Sequence, residues 1–184
     1  DFPNLVFLPA SQIHEKNALR TKGFQRIIDA LKPEYNYIFL DAPAGIGQGL
    51  KNIMPVTDSA VVVVTPDRSS VMGADRVIGI LENNNISVSD MIVNRYNTSL
   101  VKNGIHMSIL KINEVLGLNL LGIVPEDNLM VGGINNGVPV VKNRISLAGK
   151  AYQNISKRFL GKSVPLLFVF RDGIFSRLMG RMGF

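Results

Sequence analysis

The chain has no cysteine, no tryptophan and only two histidines, His14 and His106, among its 184 residues. Without thiols it has no disulfide framework, no thiol catalysis and no Cys-ligated zinc, and two histidines leave little for a His-based metal centre. No apolar run approaches the ~20 residues of a membrane-spanning helix; residues 166–170 and 60–64 come nearest. A secretory leader is not visible either. Because Asp1 is followed at once by a strand-like segment, the start is expected to be an internal cut in a longer protein. A length of 184 residues with 46% hydrophobic content suits one domain with a sizeable buried core.

Charge is distributed unevenly. Residues 1–141 carry 11 Lys/Arg against 13 Asp/Glu, whereas residues 142–184 carry nine Lys/Arg against Asp172 alone. The sequence pI of about 9.7 therefore belongs to the C-terminal quarter. Such a segment is drawn to a polyanion, either nucleic acid or an anionic lipid surface, unless it is simply a solvated helix face.

Short apolar runs alternate with helical patterns. Residues 5–8, 37–40, 60–65, 91–94 and 120–124 are rich in β-branched or aromatic side chains and lack polar alternation, which predicts strands covered on both faces of a parallel sheet. Residues 19–31 place Leu19, Gly23, Ile27, Ala30 and Leu31 on one helical stripe, and Pro33 stops it. Ser69 or Ser70 can cap a helix to about Leu81, with Val71, Ala74, Val77, Ile78 and Leu81 inward. Further helices are expected over 105–116, ended by Gly117, from Asp127 to about Asn135, and from Ser146 to about Leu160, with Gly161 as a left-handed stop. The pattern predicts an α/β fold, a mostly parallel sheet with helices on both faces. Residues 162–172, containing Pro165, read as a linker to a last small element.

Ligands in open parallel sheets collect at the carboxyl ends of the strands, and three such ends are informative. The first reads Asp41-Ala42-Pro43-Ala44-Gly45; an acid directly after a buried strand can hold a Mg²⁺-bound water near phosphates, although many strands end in Asp for turn-making reasons. The glycines Gly45, Gly47 and Gly49 do not make a dinucleotide fingerprint, because Leu50 stands where the third glycine is required. The second end, Asn94-Arg95-Tyr96-Asn97, offers a carboxamide with both donor and acceptor, suited to an adenine edge, beside an arginine able to stack or pair. At the third, Pro125-Glu126-Asp127, proline fixes the strand exit and Asp127 caps the next helix, a task that needs no ligand.

Taken in order, Asp41-Ala42-Pro43-Ala44-Gly45, Thr65-Pro66-Asp67, Asn94-Arg95-Tyr96-Asn97 and Pro125-Glu126-Asp127 resemble the MinD family of septum-site-determining ATPases, a branch of the deviant Walker A P-loop NTPases. Leu8-Pro9-Ala10-Ser11-Gln12 and Ala148-Gly149-Lys150-Ala151-Tyr152 fit it as well, so the resemblance covers essentially the whole chain. It implies an ATPase with ATP and Mg²⁺ as cofactors, acting as a homodimer on the inner face of the cell membrane. The implied partners are the division inhibitor MinC, a MinE-like or DivIVA-linked regulator and an anionic membrane surface, with nucleic acid the less favoured choice. By the same resemblance Asp41 supports the Mg²⁺ water shell, and Pro43, Ala44 and Gly45 form the loop that follows the γ-phosphate. Asn94, with Arg95 beside it, reads the base, and Pro125 and Asp127 lie in the loop closing over it. Ser69, Asp75 and Arg76, with Ser70, lie near the dimer and partner surface. One departure is large: no G-x-x-x-x-G-K-[ST] phosphate loop occurs in these residues. The expectation is a C-terminal fragment, residues 1–161 being part of an ATPase domain, that cannot bind or hydrolyse ATP by itself.

The last stretch, residues 173–184, is basic and amphipathic. On a helix Ile174, Phe175, Leu178, Met179 and Met182 share one face and Arg177 and Arg181 lie on the other. Its pattern fits an interfacial membrane helix that folds on lipid, the competing reading being docking on the parent domain or a partner. A single short tail binds weakly, whereas two tails joined in a dimer gain about 10²–10⁴ in avidity. A partition ATPase of the ParA kind, using its basic end on DNA, and a non-catalytic scaffold of the same fold are the rival readings.

Overall fold

The computed structural model describes residues 3–9 and 21–167. They form two compact units, Asp1–Asp58 and Ser59–Phe184. The tail residues Ile174, Phe175, Arg177, Leu178, Met179, Arg181 and Met182, and the proposed membrane helix with them, lie outside the described residues.

In the first unit, α1 (Thr21–Leu31) and α2 (Gln48–Ile53) pack on one another and on a 3₁₀ turn, Met54–Val56. Ile28, Leu50, Ile53 and Val56 are its buried apolar side chains. The inward face of α1 is Phe24, Ile27, Ile28 and Leu31; Ala30, expected inside, is exposed. Residues 5–8 and 37–40, expected as strands, carry no ladder, and Phe7 and Phe39 are 83% and 74% exposed. A strand is defined by a ladder with a neighbouring strand, and neither segment is part of one among the described residues. The Tyr37 and Phe39 rings stack at 6.4 Å, as side chains two apart on one side of an extended backbone can. Sequence periodicity gave no sign of α2, because its first turn is built around glycine.

The second unit is a three-stranded parallel sheet in the order β1 (Ser59–Val64), β2 (Ser87–Tyr96), β3 (Asn119–Pro125). Helix α3 (Arg68–Asn83) packs against β1 and β2, with α5 (Ile109–Leu116) alongside it. Helix α7 (Leu147–Phe159) packs on β3, with helices therefore on both faces. Its cluster joins Leu121, Val124, Ala148, Ala151 and Ile155, extended by Val61, Ile92, Tyr152 and Leu167. Gly122 permits this approach: a Cβ there would lie 2.2 Å from Ile155 Cγ1. The expected stops at Gly117 and Gly161 hold, with φ of +64° and +75°. Two expectations need correcting. Asp67, not Ser69 or Ser70, caps α3, and the helix expected over 105–116 begins only at Ile109 as α5, capped by Ser108, while a short helix that was not expected, α4 (Thr98–Lys102), capped by Asn97, precedes it. At α3 the acceptor nearer the strand end takes the cap first, and at α5 the Ser108 hydroxyl, accepting from Lys111 N, sets the start.

Arg158 ties the end of α7 to the sheet. Its Nε donates to Leu121 O at 2.6 Å and its guanidinium to Val164 O and Pro165 O at 2.9 and 3.1 Å. Leu121 is the residue at which the β2–β3 register slips, Met91 facing Leu120 but Ile92 facing Gly122. The arginine thus satisfies a carbonyl at a bulge, and partial burial lowers its pKa.

Candidate functional site

Three connections emerge at the carboxyl edge of the second unit's sheet, and each is shaped by a short acceptor side chain. After β1, Asp67 accepts from Ser69 Oγ at 2.6 Å and Ser70 N at 2.8 Å, and also from the Thr65 hydroxyl, while Ser70 Oγ accepts from Thr65 N at 3.1 Å. These bonds, the Ser69 hydroxyl foremost, hold the carboxyl down at about 2. Ser69 is thereby engaged in the turn, whereas Asp75 and Arg76 stand exposed on α3.

After β2 the ladder breaks its period. Val93 faces Ile123 and Tyr96 faces Pro125, so Asn94 and Arg95 on β2 oppose Val124 alone, a bulge at the sheet edge. Arg95 adopts φ +54°, a left-handed conformation rare for a non-glycine residue. Its N–H donates to Asn94 Oδ1 at 2.9 Å. Tyr96 then turns back into the core, 2% exposed, and Asn97 caps α4 by accepting from Ser99 N and Leu100 N at 3.0 and 3.3 Å.

Beyond β3, Glu126 and Asp127 do different work. Asp127 Oδ1 accepts from Leu129 N at 2.9 Å, capping α6 (Asn128–Asn135), and Oδ2 accepts from Ser146 Oγ at 2.6 Å and Ala148 N at 3.1 Å at the start of α7. One carboxylate joins two helix N-termini, and the Ser146 hydroxyl is the main reason its pKa falls. Its side chain is engaged in capping, leaving the backbone and Pro125 to shape the loop. Glu126 instead links loops. Its N–H donates to Tyr96 O at 3.0 Å, Oε2 accepts from Asn97 Nδ2 at 2.9 Å, and Oε1 lies 3.8 Å from the Arg95 guanidinium. Asn94, Arg95, Pro125 and Asp127 therefore come together from two adjacent strand ends.

Glu126 and Asn97 were not assigned roles from the sequence; an Asn ahead of Thr98-Ser99 is a capping signal, but nothing local pairs it with a residue 29 positions away. Asp41, Pro43, Ala44 and Gly45 belong to the first unit, where all are exposed. Gly45 has φ +84°, and Pro43 lies so close to Gly49 that a Cβ there would meet its Cγ at 2.4 Å. Two features of this loop therefore require glycine. Among the described residues no group of three or more His, Cys, Asp and Glu could hold a metal ion.

No protein-family model matches the chain. Curated relatives do. The Bacillus subtilis septum site-determining protein MinD is 42% identical over 90% of this chain and 62% of its own length. The Helicobacter pylori protein of the same name is 40% identical over 96% of this chain and 69% of its own. The chain thus spans about 62% to 69% of these relatives. Among solved structures, the MinC:MinD cell division protein complex of Aquifex aeolicus matches with a TM-score of 0.71 at 35% identity, over 79% of this chain and 60% of that one. The Pyrococcus horikoshii septum site-determining protein MinD complexed with Mg-ADP shares the fold, with a TM-score of 0.68 at 24% identity over 76% of this chain and 56% of that one. Strand-end loops in this order, on a parallel sheet of this topology and at this identity over more than two thirds of a relative, place the chain in the family of septum site-determining MinD proteins.

Proposed function

We propose that the protein of which these residues form part is an ATP-dependent switch in placing the division septum, working with Mg²⁺ as a homodimer and recruiting MinC. The observation that carries the reading is the pair of loops after β2 and β3 linked by Glu126 and Asn97, in a chain 40% identical to a relative named as a septum site-determining protein. The Aquifex complex with MinC supports that partner; a MinE-like or DivIVA-linked regulator follows from the family reading alone. Asp41 would act on the metal through water, Pro43, Ala44 and Gly45 would track the γ-phosphate, and Ser69, Asp75 and Arg76 would lie near the dimer and partner surface. Residues 173–184 would attach the protein peripherally to anionic membrane; no helix among the described residues is long and apolar enough to cross one.

The 184 residues by themselves should neither bind nor turn over ATP, whereas the chain extended upstream to its relatives' length should do both. ATP turnover by the 184 residues at a rate typical of P-loop enzymes would sink this division of labour. Sedimentation with anionic liposomes should be abolished by Phe175→Asp with Leu178→Asp; unchanged binding would remove the tail from the mechanism.

DNA attachment gains from one feature of the folded unit. Residues 128–167 hold six Lys/Arg and no acid, and Lys150 and Lys157 are exposed on α7. Salt titration separates the two readings, since phosphate contacts give a steep log–log slope and insertion of Phe175 and Leu178 does not.

A further inference from the structure

We infer that Glu126 is a positioning residue that makes the site choose a 6-aminopurine over a 6-oxopurine, an inference that rests on the nucleotide reading above. An asparagine carboxamide can match adenine, with its oxygen toward the amino group and its nitrogen toward a ring nitrogen. Rotated by half a turn it presents the opposite pattern and suits guanine, whose O6 is an acceptor. A freely rotating Asn94 would therefore discriminate poorly.

In this structure Asn94 is not free to rotate. Its Oδ1 accepts the N–H of Arg95 at 2.9 Å, and the rotated form would set Nδ2 against that N–H, donor against donor. The oxygen keeps a second lone pair for an amino group, with Nδ2 beside it as donor. What aims the Arg95 N–H at Asn94 is the bulge, in which Arg95 sits at φ +54°. L-residues do not hold that conformation unaided, and the residues around it supply the hold. Glu126 takes Asn97 Nδ2 at 2.9 Å on one side of the bulge, lies 3.8 Å from the Arg95 guanidinium at its centre, and anchors its own N–H on Tyr96 O at 3.0 Å. The carboxylate meets Asn97 and Arg95 and acts on the base through them and Asn94, the main-chain bond to Tyr96 being common to any residue at this position, and its 43% side-chain exposure means that the core does not depend on it.

The test uses the chain extended upstream to its relatives' length and measures dissociation constants for ATP and GTP by calorimetry, with thermal melts as a control. Glu126→Ala should weaken ATP about five- to tenfold, the factor carried by one ordinary hydrogen bond. It should also pull the ATP:GTP preference toward unity and leave the melt within a few degrees of the parent. Glu126→Gln, which keeps a carbonyl oxygen for Asn97, should restore most of the preference. An unchanged preference in Glu126→Ala, or a Gln variant as indiscriminate as the Ala variant, overturns the assignment of Glu126. Asn94→Ala separates this failure from a deeper one: if it erases the preference while Glu126→Ala does not, only the positioning role falls. If the parent binds no ATP, or prefers neither purine, the nucleotide reading falls and this inference with it.

Discussion

Asp67 shows how one carboxylate can make local folding depend on pH. Bonds from Ser69, Thr65 and Ser70 lower its pKa from 3.8 to about 2. A lowered folded-state value means that the unfolded chain binds the proton more tightly. The stabilisation is thus fully present above the unfolded value and is lost as pH falls through 3.8 toward about 2. Allowing for partial solvent screening, it amounts to about 1–2 kcal/mol. Urea unfolding followed by circular dichroism should show stability falling over that window. Asp67→Asn keeps an acceptor for Ser70 N but gives up the charge, so it should flatten part of the fall, the rest coming from Asp127, whose pKa is also lowered. Arg95 is a second case of residue chemistry outweighing preference: a left-handed arginine costs roughly 1–2 kcal/mol, so Arg95→Gly should fold at least as well as the parent, and Arg95→Val worse.

Among the elements, the junction at Asp127 couples α6 to α7, so the two helix starts should not behave independently. Removing the carboxylate in Asp127→Ala should cost about 2 kcal/mol, two caps being lost at once, and Ser146→Ala about 1 kcal/mol. The double variant should cost less than their sum, because Ser146 Oγ donates to the carboxylate already removed; strict additivity in chemical denaturation would show that the junction is two separate caps. Helix ends such as this one were legible in the sequence. Asp127, Ser146, Gly117 and Gly161 act through bonds or backbone angles within a few residues, so their chemistry is local. The second unit's strands were legible for the same reason, as apolar runs between caps. Residues 5–8 and 37–40 carry the same apolar signal, but a run records only that its faces favour burial, whereas a strand also needs a neighbour to bond. At the site, Asn94 and Arg95 could be singled out by type and position. The bulge that aims them and the pairing of Glu126 with Asn97 depend on register between β2 and β3, which no short window of sequence encodes.

For the whole molecule, Leu5, Val6, Phe7, Leu8, Tyr37 and Phe39 are all more than half exposed in the first unit. Large apolar side chains exposed in this number promote association. The 184-residue chain should scatter light on warming, bind a hydrophobic dye and melt broadly, while the chain extended to its relatives' length should lose the dye signal and melt cooperatively. A sharp, reversible, dye-free melt of the shorter chain would show that these runs are covered without upstream residues.

Arg158 gives the second unit a mooring. Because its guanidinium grips Val164 and Pro165 while its Nε grips Leu121, a pull on the polypeptide beyond Leu167 is delivered to β3, the strand that ends in Pro125. A pull applied past Leu167 and the fit of the loop after Pro125 thus share one mechanical line, a few residues long.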